Sequence, residues 1–98
     1  MEIEYEDISL HRLETDASFD KGLAHSIVRK FRMRIQFIRA AIDERAFYAM
    51  KSLHFEKLIG DRSNQYSMRL NDQWRLIIKF KKTASKTVVV IVEILDYH

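Results

Sequence analysis

Residues 87–95, TVVVIVEIL, constrain this chain more than any other stretch. Val88 to Leu95 is apolar at successive positions, broken only by Glu93, so an extended segment here is apolar on both faces. That is the pattern of a central strand, flanked by other strands and covered on both sides. Two alternating segments precede it. QYSMRL sets Tyr66, Met68 and Leu70 against Ser67 and Arg69, and QWRLIIKF sets Trp74, Leu76, Ile78 and Phe80 against Gln73, Arg75 and Lys79. The pair Asn71-Asp72 joins them as a tight turn, since both residue types tolerate positive φ. HFEKLIG gives a further short strand ending at Gly60, and KKTASK is a polar loop.

The first half is helical. Leu23, Ile27, Phe31, Ile35, Ile38 and Ile42 recur at steps of three and four, which predicts one helix from Asp20 to Ile42 with Ser18 or Asp20 capping its start. Arg29, Arg32, Gln36 and Arg39 lie off that stripe, and Lys30 and Arg34 border it. A second helix from Glu44 to Met50 would pack through Ala46, Phe47, Ala49 and Met50. Residues 8–14 have the length of one or two helical turns. Residues 1–6 alternate Ile3 and Tyr5 with Glu2, Glu4 and Glu6, as a short edge strand does. The expected fold is α+β: an N-terminal edge strand and two helices packed on a mainly antiparallel twisted sheet, in one domain spanning 1–98. A chain of 98 residues has no room for a second core.

Composition narrows the function. Cysteine is absent, which excludes a disulfide scaffold and a thiolate metal centre. The four histidines lack metal-ligand spacing, so no metal or other cofactor is expected. No apolar stretch approaches the roughly 20 residues of a membrane span, and the acidic N-terminus has no signal-peptide pattern, so a cytoplasmic protein is expected. The net charge of +3 is unevenly spread. Residues 1–20 hold seven acids and one base; residues 21–98 hold sixteen bases and seven acids. The basic body favours an anionic partner, nucleic acid foremost. If the face with Trp74 and Phe80 is buried, Arg69, Arg75 and Lys79 occupy the other, where they would either grip a phosphate backbone or form an ordinary wet sheet face. The acidic first twenty residues could fold across that surface as an electrostatic shield.

Four ordered motifs go further: Leu58 to Arg62 as Leu-x-Gly-Asp-Arg, Tyr66 to Arg69 as Tyr-Ser-x-Arg, Asn71 to Arg75 as Asn-Asp-Gln-Trp-Arg, and the terminal Asp96-Tyr97-His98. In these the chain resembles the HigB branch of the RelE/ParE toxin superfamily, closely over residues 55–98 and poorly over the first 20. The resemblance implies a small RNase-like α+β fold and the toxin of a type II toxin–antitoxin system. Such a toxin is an mRNA interferase, a ribosome-dependent endonuclease that inhibits translation. Its partners would be the ribosome with its mRNA, and a helix-turn-helix antitoxin (HigA-like), with promoter DNA bound only through the toxin–antitoxin complex. The resemblance makes Asp96, Tyr97 and His98 functional residues and Arg75 a phosphate contact. Some relatives carry a catalytic histidine four residues before the turn glycine; here that position is Glu56, and the nearest histidine is His54.

Metal-independent RNA cleavage requires that the ribose 2′-OH lose a proton, that the phosphorane charge be neutralised and that the 5′-oxygen gain a proton. His98 suits proton transfer because imidazole titrates near neutrality. Glu56 or Asp96 could accept the proton or hold the imidazolium, while Tyr97 could stack on a base or hydrogen-bond the phosphate. Arg62, Arg69 and Arg75 could neutralise the phosphorane through bidentate guanidinium contacts, and Lys57 and Lys79 add phosphate-binding charge. Two other functions fit the same pattern. One is a ParE-like inhibitor of DNA gyrase working through the helical half. The other is a catalytically decayed homologue that retains antitoxin binding and a regulatory role.

Overall fold

A computed structural model describes residues 1–96. In chain order the elements are β1 (Glu2–Tyr5), α1 (Ile8–Thr15), α2 (His25–Ala40), α3 (Arg45–Ala49), β2 (Glu56–Lys57), β3 (Gln65–Arg69), β4 (Trp74–Lys82) and β5 (Thr87–Asp96). Short 3-10 turns cover Lys51–Leu53 and Gly60–Arg62. The five strands form one sheet in the order β1-β5-β4-β3-β2. Neighbours are antiparallel except for β1, which runs parallel to β5. The expected α+β architecture is therefore present, with β1 at one edge and β5 inside. Among the described residues no helix is long and apolar enough to cross a membrane.

The core lies between the helices and one face of the sheet. Leu10 and Leu13 of α1, Ile27, Phe31, Ile35 and Ile38 of α2, and Phe47 of α3 pack with Met68, Leu76, Ile78, Val89 and Ile91. Each apolar side chain so buried contributes about 1.5–3 kcal/mol. Helix α2 is shorter than its apolar stripe suggested. Lys21 and Gly22 have φ of 55° and 72°, a left-handed turn that no helix passes through. Asp20 closes that turn by accepting from Gly22 N at 2.8 Å, so neither it nor Ser18 caps the helix, whose N-cap is Ala24. At the other end Ala41 is extended, and Ile42, now out of helical phase, is 93% exposed. In α3 only Phe47 is fully buried; Ala49 and Met50 face solvent.

Other departures are local. The strand expected over 54–60 is two residues long, because His54 is left-handed (φ 46°) before it and Gly60 (φ 72°) opens a 3-10 turn after it. Extending the strand back to His54 is thereby excluded. The β3–β4 connection does not use positive φ at Asn71 or Asp72. Instead Asn71 Oδ1 accepts from Gln73 N at 2.8 Å and Trp74 N at 2.7 Å, so a side chain adds to the backbone bonds that Leu70 N and Asn71 N donate to the Trp74 carbonyl. Polar contacts tie the helical half together. Arg39 forms a bidentate pair with Glu14, which also accepts from Tyr5 OH, linking α2, α1 and β1.

The β4–β5 ladder contains a bulge. Ile78 pairs with Ile91 but Ile77 pairs with Glu93, so Val92 has no opposite residue. Before the bulge Val89 and Ile91 face the helices. Regular alternation would send Glu93 into that same core, and the extra residue moves it to the opposite face.

Candidate nucleic-acid interface

Among the described residues no α-helix packs on the second face of the sheet. The strand register sets its side chains in rows. Arg69, Arg75 and Leu95 form one; Glu56, Ser67, Ile77 and Glu93 the next; then Gln65, Lys79, Val90 and Glu4; then Lys81, Val88 and Glu2. Arg69, Arg75 and Lys79 do share this face, as the alternation implied. It is not a simple cationic surface, however, because carboxylates from three elements answer the cations.

Arg62 reaches across from the Gly60–Arg62 turn. Its Nη2 lies 3.2 Å from Glu93 Oε2, and its Nη1 donates to Gln65 Oε1 at 3.1 Å. The pair is about 40% exposed on each side, so its Coulomb energy is modest, on the order of 1 kcal/mol or less. What it fixes is position: it holds the β2–β3 turn over the sheet and takes up the carboxylate that the bulge delivers. Arg75 sits directly opposite Arg69, and its Nε and Nη1 are shielded from solvent. Lys79 pairs with Glu6 at 2.6 Å. Ser67 is wholly buried in the Glu56–Glu93 row, and its hydroxyl has no hydrogen-bond partner among the described residues.

Arg69 leads to a second basic region at the end of the sheet. Its guanidinium pairs with Asp72, and its Nη1 is 3.5 Å from His54 Nε2. Arg34 Nε donates to the carbonyl of Arg69 at 3.1 Å, and burial lowers the Arg34 pKa. Lys30, Arg34, Ser52, His54, Arg69, Leu70 and Asn71 line a cleft of about 500 Å³ there.

The other expected site residues are placed as follows. Glu56 is exposed and faces the helix-free side, two residues along β3 from Arg69, while Lys57, which pairs with Tyr66, faces the opposite side. Asp96 pairs with Trp74 at the end of β5, the position after the Arg75–Leu95 pair and so on the other face from Arg75. Gln73 Nε2 donates to both Asp96 oxygens, at 3.1 and 3.2 Å. Tyr97 and His98 lie outside the described residues. Trp74 is partly buried against the core. Among the described residues no group of three His, Asp or Glu side chains could hold a metal ion.

Sequence reading missed Glu93, Gln65 and the Lys30–Arg34 cleft. Glu93 alone had a usable signal: a charge in phase with the core residues Val89 and Ile91 demands a bulge, or a buried partner. The Arg62–Glu93 contact and the cleft arise from distant segments, and no local pattern announces them.

Comparison with known proteins places this geometry. Among solved structures, the chain is similar to one described as YoeB/ParE toxin from Agrobacterium tumefaciens, with a TM-score of 0.63 and 17% identity over 100% of both chains. That degree of identity speaks for the fold alone. No curated protein matches. A family model described as RelE-like toxin of type II toxin-antitoxin system HigB matches residues 3–98, including nearly all of the first 20, which carry little of the motif pattern. With nearly its whole length accounted for, the chain belongs to the HigB family of RelE-like toxins of type II toxin–antitoxin systems.

Proposed function

We propose that this toxin is a ribosome-dependent endonuclease that cuts mRNA by metal-independent acid–base chemistry. The observation that carries the reading is the cross-strand pair Arg69–Arg75 on the helix-free face, with Arg62 two register rows away. Two guanidinium groups brought to one place on the face match a phosphodiester, which accepts bidentate hydrogen bonds from such groups.

In the proposed reaction the 2′-oxygen attacks the adjacent phosphorus as its proton leaves. The bond from phosphorus to the 5′-oxygen breaks, and a proton reaches that oxygen, giving a 2′,3′-cyclic phosphate and a 5′-hydroxyl. Arg75 and Arg69 neutralise the phosphorane, with Arg62 supporting them. His98 gives the proton to the leaving oxygen, Asp96 orients it, and Tyr97 stacks on a base. Glu56 takes the 2′-OH proton; it faces the arginines' side of the sheet, whereas His54 is engaged with Arg69 at the sheet's end. Lys79, held by Glu6, and Lys57, on the far face, contribute less to phosphate binding than the three arginines. A helix-turn-helix antitoxin neutralises the toxin, and the complex binds promoter DNA.

The test sets a translation assay beside a gyrase supercoiling assay. Translation should stop at low toxin concentration while supercoiling continues, and removal of Asp96–His98 from a still-folded protein should abolish the arrest. Inhibited supercoiling with translation intact would favour the gyrase reading. Full activity of the truncated protein would remove the terminal residues from the mechanism.

A further inference from the structure

Val88 and Val90 are only 2% and 6% exposed, although they lie on the face that no helix covers. Their neighbours in register explain this. Val88 lies between Lys81 and Glu2, and Val90 between Lys79 and Glu4. Two ion pairs then cross over β5, Lys79 to Glu6 at 2.6 Å and Lys81 to Glu4 at 3.2 Å, and Lys86, just before β5, pairs with Glu2 at 2.7 Å. The lysine stems roof the valines while their ammonium groups are held by glutamates of the N-terminal strand. Three cations and three carboxylates leave this half of the face neutral. At the other end Arg62 and Arg69 also have carboxylate partners, Glu93 and Asp72, but the adjoining cleft adds Lys30 and Arg34, which have none among the described residues, so the excess of positive charge lies there.

We infer that β1 and Glu6 form a neutralising rail that keeps an RNA backbone off Lys79, Lys81 and Lys86 and confines it to the arginine end of the sheet. This rests on the RNA-cleaving reading. Without the rail, the two strands β4 and β5 would present one continuous basic face, and RNA could lie along it in registers that miss the arginines. The rail is thus a specificity device: the shielded cations are replaced by neutral pairs, and the net positive potential falls only where phosphate is to be held. The helical part of the acidic N-terminus has no share in it, since Glu14 is committed to Arg39 and Asp16 to Arg12.

The experiment compares the wild-type chain with E2Q/E4Q/E6Q, whose isosteric amides leave the inward Ile3 and Tyr5 and the β1–β5 backbone pairing in place. Binding of a fluorescent, 2′-O-methylated single-stranded RNA is followed by anisotropy between about 50 and about 200 mM salt. Three freed lysines should steepen the slope of log K against log salt by about 2 and strengthen binding roughly tenfold at the low-salt end. Adding K81Q/K86Q to the triple variant should cancel most of that gain, while E2Q/E4Q/K81Q/K86Q, which removes both pairs and keeps the net charge, should leave wild-type affinity unchanged. An unchanged slope in a triple variant with normal circular dichroism, beside a wild type that binds, overturns the rail alone. A loss of affinity from the charge-neutral E2Q/E4Q/K81Q/K86Q variant also overturns it, because the lysines would already be in use. Binding by the triple variant but not by the wild type overturns the confinement, because the native arginine end would then hold no RNA. Absence of binding in both overturns both.

Discussion

Phe55 tests what positions the candidate base. Strand β2 is only two residues long and begins just after a left-handed His54, so backbone pairing alone is a poor anchor for Glu56. The anchor is the ring before it. Phe55 is 9% exposed, stacks on Tyr66 at 5.3 Å, and meets Tyr48 at 4.8 Å and Phe47 at 5.3 Å edge-on. Truncation by Phe55→Ala removes that burial and leaves a cavity bounded by Phe47 and Phe80, at a cost of about 3–5 kcal/mol. For a domain of this size, that lowers the melting temperature by roughly 15 °C or more. Phe55→Leu keeps most of the apolar volume but loses the ring pairs, at about 1–2 kcal/mol. Urea denaturation of the three proteins measures both differences. A loss under about 1 kcal/mol for Phe55→Ala would refute the idea that the aromatic cluster anchors this edge. A folded Phe55→Leu should also cleave mRNA more slowly, because Glu56 shifts with its anchor.

Further outcomes follow from other contacts. Asn71→Ala leaves the Gln73 and Trp74 amides without their acceptor and should cost about 1–2 kcal/mol in chemical denaturation, with loss of amide-exchange protection at the β3–β4 connection. Asp7 caps α1 by accepting from Ser9 N at 2.9 Å, so Asp7→Ala should cost about 1 kcal/mol in thermal melting. Glu14 is pushed up by burial, but hydrogen bonds from Arg39 and Tyr5 outweigh this and leave its pKa below the usual value. A depressed folded-state pKa means stability present above the unfolded pKa of about 4.3 and lost as pH falls through the folded one. Melts of wild type and Glu14→Gln should therefore differ at neutral pH and converge only once the pH has fallen below the folded-state pKa of Glu14.

The sheet was legible in the sequence because each of its strands except β2 carries its own alternation or apolar run. Helix α2 was legible in its middle, where Ile27, Phe31, Ile35 and Ile38 keep the period, and misread at both ends, where backbone conformation decides. The cations of the helix-free face were legible; their partners were not. Glu2, Glu4 and Glu6 look like ordinary edge-strand charges until β1 is known to lie parallel to β5, a long-range fact. The bulge at Val92 is likewise a tertiary feature. It settles which way Glu93, Leu95 and Asp96 face, so simple alternation along β5 points the end of the strand wrongly.

Primer extension on ribosomes programmed with a defined mRNA tests the central claim most directly. With wild-type toxin it should map a cut within the ribosome-held message that leaves a 5′-hydroxyl, and none on the same mRNA without ribosomes. Arg75→Ala, folded by circular dichroism, should slow the cut by about 100-fold or more, the usual scale for removing one group that stabilises transition-state charge. Cutting at the wild-type rate by Arg75→Ala, or no ribosome-dependent cut by the wild type, would contradict the account.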